Sequence, residues 1–141
     1  MTARMYGWIF VALSPLAVSA AQAGGLPDEP LPGDSASTGI RPSYQACLDA
    51  SGSTTPGMLK CSHAEYAFQD KRLNSSYRKL ASSLSSPQRE ALRVEELAWV
   101  QHKESYCAPE EGAGQGQEIT SADCLVGETA KRATEIEARI K

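Results

Sequence analysis

Four polar side chains near the middle of the chain have the right types for acid–base chemistry: Asp70, Asn74, Glu96 and Lys103. Two carboxylates beside a cation and an amide are the raw material of a general acid and a general base. That chemistry needs a reacting centre, and no Ser or Cys nucleophile stands at a spacing that pairs it with a base. The only histidines, His63 and His102, lie far apart and read as ordinary surface or boundary residues. The alternative use is mechanical. A polar group left unpaired in an apolar seam costs about 1–3 kcal/mol, so four at matching heights read as a mutually satisfied seam that fixes helix register. No catalytic residue is assigned on this reading, and the protein is read as a binding protein, not an enzyme.

The cysteines are the second set with chemistry. Cys47, Cys61, Cys107 and Cys124 form an even count in a small chain, which reads as two disulfides in an oxidising compartment. Zinc would need C-x₂-C pairs or clustered histidines, and neither is present. Locality favours Cys47 with Cys61 and Cys107 with Cys124, each bond stabilising by about 3 kcal/mol in the chain-entropy view. No metal or cofactor is expected.

The elements that must hold these groups are legible from apolar periodicity. Leu59, Tyr66, Leu73, Tyr77, Leu80 and Leu84 fall on one helical stripe, with Asp70 and Asn74 inside it. Leu92, Trp99 and Tyr106 form a second stripe that contains Glu96 and Lys103. Ser86-Pro87 reads as a restart, with Ser86 as N-cap and Pro87 at the first helical position. An antiparallel hairpin turning there sets Asp70 opposite the region of Lys103, Asn74 opposite Glu96 and Leu73 opposite Trp99. Leu73, Tyr77, Leu80 and Trp99 are the expected core.

These residues also carry a resemblance. Asp70-x-x-Leu73-Asn74-x-x-Tyr77-x-x-Leu80, then Trp99-Val100 and Cys107, resembles the secreted LprI-type lysozyme-inhibitor family. That family shows D-x-x-L-N-x-x-Y-x-x-L followed by W-[ILV]-x-[YF]-R-[DE]-x-x-C. Here His102 replaces the aromatic, Lys103 the arginine, and Glu104 supplies the acid. Lysine lacks the bidentate fork of arginine. The similarity runs from about Cys47 to Ile140. It implies a lysozyme inhibitor that binds a muramidase and occludes its cleft without chemistry; a cell-envelope binding or scaffold module is the rival reading.

With 141 residues the chain allows one domain. Residues 1–23 read as a signal peptide: Arg4, the apolar Trp8–Val18 run and an Ala21-Gln22-Ala23 cleavage site. That run falls short of the ~20 residues of a spanning helix, so no membrane anchor is expected after cleavage. A periplasmic or secreted location follows. Residues 24–42 hold Pro27, Pro30, Pro32 and Pro42 and read as a flexible leader. Residues 43–141 form the helical domain. Cleavage removes one arginine and no acid from a chain of net charge −3. An acidic protein is a poor nucleic-acid ligand but suits a cationic protein partner such as a lysozyme.

Along that domain, a short helix over 43–50 carries Tyr44 and Cys47, and a long one follows from Pro56 or Met58, capped by Thr55, to about Ser85. Phe68 points away from the main stripe, towards the N-terminal segment. The Gly-rich, acidic stretch 108–119 reads as a connector, with Glu110 and Glu111 the candidate partner-binding loop. Thr120-x-x-Asp123 resembles a capping box opening the last helix. Glu128–Arg132 and Glu135–Arg139 fit i,i+4 pairs on its solvated face, and Val94 and Leu97 are expected to meet its apolar side. The fold class is therefore all-α: one short and three longer helices around an antiparallel hairpin, stapled by disulfides.

Overall fold

The structure, a computed structural model, describes residues 38–141; the stretch read as a signal peptide and most of that read as a leader lie outside them. The described chain is all-α, as its patterning requires: α1 (Pro42–Ala50), α2 (Thr55–Ser83), α3 (Ser86–Tyr106) and α4 (Gln115–Ala138). Gly52 and Ser53 take positive φ and separate α1 from α2. The N-caps are Thr54 and Ser85, each one residue earlier than expected. Gln88 accounts for the second shift, because its Oε1 accepts the Ser85 backbone N–H at 3.0 Å and closes a capping box. The last helix differs more. It opens at Gln115 instead of after Thr120, so the connector is short, and Asp123 sits within α4 with other partners.

Cross-links show how the helices run. Thr55 meets Gln115, Ser62 meets Asp123 and Arg72 meets Glu137, so α2 and α4 are parallel. Cys107–Cys124 and Glu96–Arg132 make α3 antiparallel to α4, and Lys103 with Tyr66 makes it antiparallel to α2. The backbones of α2 and α4 approach most closely. Small side chains permit it: Ser62 and Ser76 on one helix, Ala122, Ala130 and Ala133 on the other, all buried. In the α2–α3 hairpin, Tyr66, Trp99 and Lys103 stand between the two backbones and hold them farther apart.

The apolar core lies towards the hairpin end. Leu73, Leu80, Leu92, Ala133 and Ile136 are buried there, with Tyr77, Trp99 and Leu84 packed against them. Each fully buried large side chain stabilises by about 1.5–3 kcal/mol. The disulfides Cys47–Cys61 and Cys107–Cys124 both form, tying α1 to α2 and the end of α3 to α4. Two expectations, one about α3 and one about α4, fail for one reason. Val94 and Leu97 are 54% and 50% exposed instead of facing α4. Glu95 and Glu96 take that side, where Arg132 binds both; neither i,i+4 pair on α4 forms, as Arg132 also holds Glu135, and Arg139 reaches Glu95.

Candidate functional site

The loop over residues 107–114 is an ordered, acidic tip. Cys107 ends α3 and is disulfide-bonded to Cys124, and the Cys107 carbonyl accepts the Ser121 hydroxyl. Within the loop the Ala113 N–H donates to the Glu110 carbonyl at 3.0 Å, and the Glu110 N–H donates to Gln117 Oε1 at 3.1 Å. Gly112 turns the chain at φ 77°, a left-handed geometry that suits glycine. These anchors leave Glu110 and Glu111 exposed. Neither forms an ion pair among the described residues, nor does the exposed Glu118 one turn into α4.

The four seam residues do line one groove, of about 180 Å³, between α2 and α3, together with Leu73, Tyr77, Trp99 and Val100. They are not one bonded network. Asn74 Nδ2 donates to Asp70 Oδ2 at 2.9 Å, one turn along the same helix. Glu96 turns to Arg132 on α4. Lys103, only 6% exposed, donates to the Tyr66 hydroxyl at 3.1 Å and lies 4.9 Å from the Trp99 ring centroid. The expected Asp70–Lys103 contact is absent because the ammonium finds its acceptor on Tyr66. Of the expected core, Leu73 and Leu80 are buried, while Tyr77 and Trp99 are half-buried walls of the groove.

A larger polar assembly escaped the apolar-stripe reading. Ser62, Glu65, Gln69, Arg72 and Ser76 also recur at helical spacing, and all but Arg72 are buried. Arg41 Nε donates to Glu65 Oε2 at 2.8 Å, and its guanidinium stacks on Phe68 at 3.8 Å from the centroid. Gln69 Nε2 donates to the Gly39 carbonyl at 2.9 Å. Arg72 binds Glu137, Thr134 and the Thr38 carbonyl. Tyr44 donates to Asp123, which also accepts the Ser62 hydroxyl at 2.8 Å. Burial, reinforced by that bond to Asp123, pushes the Tyr44 hydroxyl up to about 12. Every member thus has a partner, and the assembly joins α1, α2 and α4. Its signal in the sequence is a polar stripe at helical spacing, which looks like a solvated face.

Among the described residues no cluster of three or more His, Cys, Asp or Glu is placed to hold a metal ion, and no helix is long and apolar enough to cross a membrane. In comparisons with known proteins, residues 47–136 match the model of the family described as Lysozyme inhibitor LprI. No curated protein and no solved structure matches the chain.

Proposed function

Because the chain belongs to the LprI lysozyme-inhibitor family, matched over residues 47–136, we propose that it is an exported lysozyme inhibitor that acts by binding a muramidase. The family match is the observation that carries this reading. The disulfides support an extracytoplasmic location, since such bonds persist in oxidising compartments. The sequence of residues 1–23 supports export with cleavage after Ala23, which leaves a periplasmic or secreted protein led by residues 24–42.

Occlusion of the cleft by a rigid acidic loop is the mode we favour. Secreted lysozymes place two carboxylates in a cleft, and many present a strongly basic surface around it. An acidic tip is drawn to such a surface, more so at low salt than at a Debye length of ~8 Å. Glu110 and Glu111 are exposed, form no ion pair among the described residues and sit on a loop clamped at Cys107–Cys124, so little conformational entropy is lost on docking. The test is a cell-wall lysis assay with increasing amounts of this protein against a cationic lysozyme. Stoichiometric inhibition is expected, weakened by Glu110→Lys with Glu111→Lys at unchanged thermal stability. Undiminished lysis at a several-fold excess of folded protein would remove the reading for that lysozyme.

A further inference from the structure

The acidic loop separates two indentations. On one side a depression of about 460 Å³ is bounded by Tyr106, Glu110, Gln117 and the Cys107–Cys124 bond. On the other a notch of about 330 Å³ is lined by Leu59 from α2, Pro109 from the loop, and Ala122 and Leu125 from α4, with His63 and Glu118 beside them. Pro109 and Ser121 border both. The notch walls are apolar and come from three separate segments that two anchors hold together. Ser121 fixes the loop to α4, and Thr55 with Gln115 ties the start of α2 to the start of α4.

We propose that this notch seats an apolar side chain carried on a basic loop of the partner protein, with Glu110, Glu111 and Glu118 receiving the cations around it. The proposal rests on the inhibitor reading and gives it an anchor. A desolvated apolar pocket ringed by polar groups is the arrangement that concentrates binding energy in protein interfaces. Charge complementarity selects the occupant. The acids of the α3–α4 and α2–α4 contacts, Glu95, Glu96, Glu135 and Glu137, are each bound to an arginine. Glu110, Glu111 and Glu118 form no ion pair among the described residues. A second copy of this chain would bring the same acids against them, and like charges facing each other disfavour that pairing. A basic partner gains on both counts.

The two parts of the surface divide the kinetics. Exposed charges at a rim govern the encounter rate and its salt dependence. A buried anchor governs dissociation. The experiment is surface plasmon resonance of the exported protein against a purified, strongly basic lysozyme, with Leu59→Gln and Leu125→Gln as separate variants on different helices. Each is expected to dissociate faster by at least about tenfold, the loss of one anchor side chain, with association little changed. Glu110→Lys with Glu111→Lys should instead slow association and flatten its salt dependence. As a measurement that needs no variant, the methyl resonances of Leu59 and Leu125 should shift in the wild-type complex. A complex that forms with those methyls unmoved, or in which both folded leucine variants dissociate like wild type, overturns the notch and leaves the inhibitor reading standing. Self-association of the wild type through these methyls also overturns it. No binding at all removes the inhibitor reading and this proposal with it.

Discussion

Arg132 shows how a single side chain decides the packing of two helices. Its side chain is 10% exposed and meets Glu95 at 2.6 Å and Glu135 at 3.0 Å, with Glu96 bound as well. Burial works against the guanidinium charge, but the carboxylate hydrogen bonds outweigh it and raise the pKa above its ordinary value. Arg132→Ala would strand Glu96, and chemical denaturation should read a loss of roughly 3 kcal/mol, the cost of breaking a largely buried ion pair from one side. Asp70→Ala should cost no more than about 0.5 kcal/mol, because its bonds run only to Asn74 on an exposed turn. Equal losses in the two variants would restore the idea of a bonded Asp70–Lys103 seam. Glu96 was legible as an inward-facing acid; its partner was not. Helical spacing offers Arg132 to Glu128, and only the tertiary arrangement offers it two acids from another helix.

At the scale of elements, what apolar periodicity could see, it placed well. The short helix and the hairpin break near residue 85 stand within a residue or two of expectation, whereas the last helix starts five residues early, residues 115–119 reading as loop and being helix. It could not see the strap. Residues 38–41 fall inside the stretch that reads as a flexible leader, yet their backbone is fixed. The Thr38 and Gly39 carbonyls accept bonds from Arg72, Thr134 and Gln69, and the Arg41 N–H donates to Glu65. Thr38, Gly39 and Arg41 around a lone Ile40 set up no apolar periodicity, and the anchoring donors lie in the polar stripe of α2 and on α4. Gly39 tests the strap. It sits at φ 75°, and an added Cβ would come within 2.6 Å of Arg72 Nη1. Gly39→Ala should therefore cost about 1–2 kcal/mol from the left-handed backbone alone. Hydrogen exchange at the Arg41 amide should quicken, with amides in the middle of α3 little changed. Wild-type protection at Arg41 would show that the strap does not depend on that turn.

Across the described residues the three long helices form a bundle in which ion pairs supplement the small-residue and apolar contacts, Arg72–Glu137 between α2 and α4 and Arg132 with Glu95 between α4 and α3, so stability should fall at both ends of the pH scale for different reasons. Glu137 is held below the ordinary carboxylate range by its bonds from Arg72, and Glu95 by those from Arg132 and Arg139. A carboxylate whose folded pKa is depressed stabilises fully above its unfolded value of about 4.3, and that contribution is lost as pH falls through the folded value. Acid should therefore weaken the contacts of α4 with α2 and with α3 together. Tyr44 behaves in the opposite sense. Its folded pKa of about 12 lies above the ordinary 10, so its contribution is complete below pH 10 and is lost as pH rises from 10 to 12. That loss belongs to the contact of α1 with Ser62 and Asp123, at the opposite end of the bundle from Glu137. Thermal melts from pH 2 to pH 12 should show two separate limbs. Tyr44→Phe should flatten the alkaline limb and leave the acid one in place, while Arg72→Met should flatten part of the acid limb and leave the alkaline one. An alkaline limb unchanged in Tyr44→Phe would mean that another group sets it, and a shared response to either variant would mean that the two ends of the bundle do not unfold independently.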